Sequence, residues 1–124
     1  MSSSLAAFTK LLVADPAATA RFYEGLGFTQ VGTDGTFHHL RWETGGDVML
    51  ARRPSGVHFP AQVGLGVLVG FVAHLGLDVL AERASALGAS TQGPSVQPWN
   101  TRELVVTDPN GYRLNFIEPV QPPE

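Results

Sequence analysis

Apolar residues in this chain gather into short runs broken by glycine, proline and polar clusters, and the period changes twice from alternating to helical. The run FTKLLVA (8–14) predicts a strand. Asp15 then stands where an N-cap belongs and Pro16 where a first helical residue does. AATARFYEGL repeats Ala18, Phe22 and Leu26 at i, i+4 and i+8, and Gly27 supplies a left-handed close. GVLVGFVA (66–73) predicts a second strand. LDVLAERASALG follows as a helix with Leu80, Ala84 and Leu87 on one face and Gly88 as its stop. Leu26-Gly27 and Leu87-Gly88 align at an offset of 61 residues, which sets Phe8 on Val69, an internal repeat carried by pattern more than identity.

Short strands follow each strand–helix pair. The first is succeeded by GFTQVG, TFHHLRWET and DVMLARR, separated by Asp34-Gly35 and Gly45-Gly46 turns. The second is succeeded by a loose STQGPSVQPWN, then RELVVT and YRLNFIE. Asp108-Pro109-Asn110-Gly111 suits a type I turn with glycine in the left-handed position. The pattern is β-α-β-β-β twice, an α+β chain of one domain over residues 1–124. Module one spans about 5–53, module two about 65–119, and PSGVHFPAQVG (54–64) links them; the tail PVQPPE is expected to be irregular.

Composition narrows the function. Of 124 residues 44% are hydrophobic and only 15% charged, which points to apolar surface covered by a second copy. A net charge of −3 without a Lys/Arg cluster gives nucleic-acid binding no footing. The absence of cysteine excludes disulfides, zinc-thiolate sites and a thiol nucleophile. MSSSLAAFTKLL lacks the basic start and long apolar core of a signal peptide, so a cytoplasmic location is expected. VGLGVLVGFVAHLGL (63–77) is the one membrane suspect; it is short, glycine-broken and valine-rich, and reads as a buried strand. The same glycines precede a strand rather than follow one, the wrong context for a dinucleotide loop.

The element order, with FYEGLGF in the first half and VVTDPNGYRLNFIEP at the end, resembles the vicinal oxygen chelate superfamily. That group holds glyoxalases, extradiol dioxygenases, methylmalonyl-CoA epimerases, fosfomycin-modifying enzymes and bleomycin-binding resistance proteins. The resemblance spans about Leu5 to Pro119. It implies two βαβββ modules, each curling a mixed sheet into half of a cavity that is usually completed in a homodimer. It also implies, in metal-dependent members, a ligand on the first and last strand of each module. Carried over by position, these fall on Phe8, Met49, Val69 and Asn115. Phenylalanine and valine have no donor, methionine a weak thioether, asparagine one neutral oxygen. Their neighbours add no imidazole or carboxylate, so no metal and no other cofactor is expected.

The remaining chemistry is sparse. His38 and His39 are adjacent on a strand and face opposite ways, and His58 and His74 lie apart from them. No serine sits in a G-x-S-x-G elbow. If Gly45-Gly46 forms a two-residue loop, Thr44 pairs Asp47 and Trp42 pairs Met49, which puts His38, Leu40 and Trp42 on the cavity face. Phe8, Lys10, Val69, Phe71, Arg113 and Asn115 join them, with loop aromatics Phe59 and Trp99 as candidate walls. An aromatic cleft with a few polar groups suits an organic ligand. The resemblance then implies a metal-independent binder of a planar or apolar molecule, as in antibiotic sequestration. The alternatives are a metal-free lyase, isomerase or cyclase of secondary metabolism with His38 as the candidate acid/base, and, last, a metal-dependent glyoxalase or dioxygenase.

Overall fold

Residues 5–43 and 45–118 are described by a computed structural model, in which the chain divides into two units, Met1–Phe59 and Pro60–Glu124. The tail PVQPPE and Thr44 lie outside the described residues. The first unit runs β1 (Phe8–Val13), α1 (Pro16–Leu26), β2 (Thr29–Thr33), β3 (Phe37–Arg41) and β4 (Asp47–Arg52). The second runs β5 (Leu68–Val72), α2 (Leu77–Ala86), β6 (Thr91–Val96), β7 (Arg102–Thr107) and β8 (Arg113–Glu118). Each is a βαβββ module with a four-stranded mixed sheet, ordered β1-β4-β3-β2 and β5-β8-β7-β6. The first strand pairs the last in parallel, and the other pairs are antiparallel.

Local sequence explains the helix ends. The Asp15 carboxylate accepts from the Ala18 amide at 3.1 Å, Pro16 opens α1, and Gly27 closes it at φ 126°. α1 lays Phe22, Tyr23 and Leu26 on one face of the first sheet, over Leu11, Val13, Leu40, Val48 and Leu50, all buried. Phe28 stands between Tyr23 and Trp42, with ring centroids 5.1 and 5.0 Å away. In the second module α2 buries Leu77, Leu80 and Ala84. The sheet beneath contributes Phe71, Leu104, Val106, Leu114 and Phe116, with Phe71 stacked on Phe116 at 5.5 Å. Each fully buried leucine or phenylalanine contributes about 1.5–3 kcal/mol of transfer free energy.

Three expectations are corrected. Leu87 caps α2 and is exposed, because the buried stripe runs through Leu77, Leu80 and Ala84. STQGPSVQPWN is not loose: Thr91–Val96 is an edge strand, its register shifting between Gln92 and Ser95 where Pro94 has no amide to donate. Gly93 sits there at φ +94°, and a side chain on it would meet the Glu103 carbonyl at 2.6 Å. The β3–β4 loop is longer than two glycines. Trp42 N–H donates to Gly46 O at 2.9 Å, Glu43 takes φ 45°, and Arg41 rather than Thr44 stands opposite Asp47.

The segment after Pro60 is less free than its composition suggests. A Cβ on Gly64 would lie 2.9 Å from the Gly111 carbonyl, and one on Gly111 3.1 Å from that of Ala61. The two segments touch backbone to backbone at the β7–β8 turn. That turn is closed by Gly111 N–H on Asp108 O, and the Asp108 carboxylate accepts from the Asn110 and Tyr112 amides. No helix among the described residues is long and apolar enough to cross a membrane. Residues 68–72 of the membrane suspect form β5, whose Phe71 is buried while Leu68 and Val72 are exposed.

Candidate functional site

Strand alternation gives each sheet a face under its helix and a face free of it. On the first module the helix-free face carries Phe8, Lys10 and Leu12 of β1, Phe37, His39 and Arg41 of β3, and Asp47, Met49 and Ala51 of β4. Its centre is a charge cluster. The Arg41 guanidinium donates to both Asp47 oxygens, Nε to Oδ1 at 2.6 Å and Nη2 to Oδ2 at 2.9 Å. His39 Nε2 lies 3.5 Å from Oδ2. Asp47 is buried, with 6% of its side chain exposed. The Arg41 hydrogen bonds hold its carboxyl below the usual range; burial works against them, and His39 adds a smaller pull downward. This is a bidentate pair that neutralises itself.

The helix-free face of the second module carries Leu68, Gly70 and Val72 of β5, Arg113, Asn115 and Ile117 of β8, and Glu103, Val105 and Thr107 of β7. A cleft of about 300 Å³ opens on it, lined by Leu68, Gln92, Ser95, Gln97, Trp99, Glu103, Val105 and Asn115. Glu103 is its chemical centre. Oε2 accepts from the Trp99 indole N–H at 2.8 Å and from the Thr101 hydroxyl, and Oε1 from the Asn115 amide at 3.1 Å. These donors, Thr101 first and Trp99 next, push its carboxyl down against desolvation, so it is an anion at neutral pH. Asn115 Oδ1 is buried without a partner among the described residues. Trp99 leaves 65% of its surface exposed. A second hollow of about 240 Å³, lined by Ala61, Gln62, Leu65, Thr107, Gly111 and Arg113, lies where the linker meets the turn.

The positions expected from sequence divide between these surfaces. Phe8, Lys10 and Met49 share the helix-free face of module one; Arg113 and Asn115 share that of module two, with Trp99 at the cleft. His38, Leu40 and Trp42 do not face Met49. Arg41 in place of Thr44 opposite Asp47 shifts the hairpin by three residues, and any odd shift turns a strand over. Leu40 and Trp42 are therefore core, and His38, half-buried on that same side, bonds Gln30 Oε1 through Nδ1 at 2.6 Å. Val69 and Phe71 likewise pair Leu114 and Phe116 on the face under α2. Phe59 packs beneath the Arg53 guanidinium, 5.5 Å from ring centroid to charge.

Pairing also refines the metal positions. From the start of the strand to the start of the helix the spacing is one residue longer in module two, Leu68 to Leu77 against Phe8 to Pro16, so the helix offset does not hold for the strands. Lys10 opposes Met49 as Gly70 opposes Asn115, which makes Leu68, not Val69, the counterpart of Phe8. Phe8, Met49, Leu68 and Asn115 do not fit a divalent cation: the set holds no imidazole or carboxylate. Among the described residues no group of three or more His, Cys, Asp or Glu side chains could hold one. The sequence reading missed Glu103, although RELVVT alternates so that Leu104 and Val106 point one way and Glu103 the other. It also missed the Arg41–Asp47 pair, which depends on the loop register.

With this geometry in view, comparisons with known proteins are specific about the fold. The family model for the glyoxalase/bleomycin resistance protein/dioxygenase superfamily matches residues 5–116. A bleomycin-binding protein solved with bleomycin is similar at 20% identity, over 94% of this chain and 100% of that one, with a TM-score of 0.73. A glyoxylase/bleomycin resistance protein/dioxygenase domain from Frankia sp. EAN1pec gives 22%, 96%, 100% and 0.74. A bleomycin resistance determinant encoded on transposon Tn5 gives 21%, 95%, 100% and 0.67. No curated protein matches. Identities this low speak for the fold, and the family match spans nearly the whole chain: the protein belongs to the glyoxalase/bleomycin resistance protein/dioxygenase superfamily.

Proposed function

We propose that this protein is a metal-independent binder of a planar or largely apolar organic molecule, which it sequesters without chemical change. The observation that carries this reading is the cleft of module two, where the exposed Trp99 stands beside Glu103 and Asn115. A flat ring system stacks on an indole face, while fixed polar groups beneath it set orientation. Similar solved structures include a bleomycin-binding protein and a bleomycin resistance determinant, which supports antibiotic sequestration as the named version. The donor set at Phe8, Met49, Leu68 and Asn115 supports the absence of metal chemistry. Exposed Leu68, Val72 and Val96 support a homodimer, and we place the protein in the cytoplasm.

Titration of intrinsic fluorescence with bleomycin and a panel of planar antibiotics tests this. The expected result is saturable quenching that Trp99→Ala weakens, with the ligand recovered unaltered. Recovery of a changed ligand, or stoichiometric transition metal in protein purified without chelator, overturns it. A second reading, a metal-free enzyme, draws on His39 beside Asp47 rather than on His38. It requires turnover that His39→Ala abolishes.

A further inference from the structure

The cleft around Glu103 has a charge imbalance that the proposed binding function does not use. None of its lining residues is a lysine, arginine or histidine, and among the described residues no cation lies in ion-pair contact with Glu103. Arg102, its neighbour in sequence, points under α2, where it bonds Asp78 and Glu118. Arg113 shares the helix-free face but sits opposite Thr107, at the far end of β7 from Glu103. Every group holding Glu103 is a neutral donor: an indole N–H, a hydroxyl and an amide. They orient the carboxylate and leave its charge uncancelled.

The acceptors also outnumber the donors that reach them. A carboxylate offers about four lone-pair sites, of which three are taken here. Asn115, whose amide donates to Oε1, lines the same cleft. An incoming group that bears one positive charge and several N–H bonds satisfies the open lone-pair site and the charge together. The exposed Trp99 face beside it attracts a cation and a flat ring alike.

We infer that the ligand of this cleft is a planar aromatic cation, with an amidinium, guanidinium or ammonium group that donates to Glu103 while its ring lies on Trp99. The inference rests on the proposed binding function and narrows it to one charge class. A volume of about 300 Å³ is at the small end of organic-ligand sites, so the cleft holds the charged ring system and not the whole of a large molecule.

Three probes of one shape separate the charge from the shape: naphthalene-2-carboxamidine, naphthalene-2-carboxamide and naphthalene-2-carboxylate, titrated by calorimetry into the full chain. The amidine is expected to bind about tenfold to a hundredfold more tightly than the carboxamide, the range of one charged hydrogen bond, with the carboxylate weakest. Glu103→Gln keeps the side-chain shape and is expected to collapse the amidine-to-carboxamide ratio to about one. Equal affinities for amidine and carboxamide in the unaltered protein, both lost in Trp99→Ala, overturn the cation inference and leave the organic-binding function standing. Binding of none of the three overturns both. An amidine preference that survives in folded Glu103→Gln places the charge recognition elsewhere and overturns the assignment to this carboxylate.

Discussion

In the first module Asp47 meets Arg41 in a bidentate pair, with His39 beside it, and the helix-free face closes its own charge account. In the second, half-buried in an equivalent sheet, Glu103 meets only neutral donors. The scaffolds match in strand order and pairing, and their helix sides are filled alike with leucine, valine and aromatic side chains. The difference between these two carboxylates lies in the helix-free residues around them. A charge answered from within stabilises a fold, and a charge left unanswered has to be met by something else.

Substitutions probe that contrast in order of expected size. Trp42→Ala removes a fully buried indole beneath Phe28 and costs about 3–5 kcal/mol, a loss read as a large fall in melting temperature. A small change would return Trp42 to a ligand wall. Asp47→Asn leaves Arg41 and His39 without their carboxylate and costs about 2 kcal/mol by denaturant unfolding, below the full buried-pair value because both partners keep some solvent. Glu103→Gln is expected to move stability by much less, and equal losses would erase the distinction between the modules.

Acid sharpens the same comparison. Both carboxyls have folded values held below their ordinary ones, so each contributes stability that is present above the ordinary carboxylate range and lost as pH falls through the folded values. Stability measured from neutral pH downward is expected to drop below that range, and Asp47→Asn to remove more of the drop than Glu103→Gln. Trp99→Ala is the smallest in stability, within about 0.5 kcal/mol for an exposed side chain, yet it lowers aromatic-ligand affinity by about twofold to tenfold.

Much of the fold is legible in the sequence because its signals are local. Asp15-Pro16 and Gly27 mark the ends of α1, and Asp108 to Gly111 marks the β7–β8 turn. The face of β3 is not legible, since it depends on how many residues the following loop takes. The adjacent Gly45-Gly46 suggests two, whereas a left-handed Glu43 and the Trp42–Gly46 bond make it longer. Three residues there, an odd number, moved Trp42, Leu40 and His38 off the predicted site and brought His39 and Arg41 onto the helix-free face. Glu103 had a readable signal in the alternation of RELVVT. Its meaning comes from Trp99, Thr101 and Asn115, which only tertiary structure assembles.

The backbone contact between Gly64 and Gly111 sets a rule for remaking this protein. The stretch from Pro54 to His58 is exposed, whereas Gly64 is buried against the turn with no room for a methyl group. A domain grafted between Ser55 and Gly56 is expected to leave the melting temperature within a few degrees of the parent. The same graft after Gln62, where the chain is already seated on the β7–β8 turn, is expected to lower it sharply and to spread the hollow around Arg113. For tethering a reporter or splitting the gene, the usable seam is therefore five residues wide and lies wholly before Phe59.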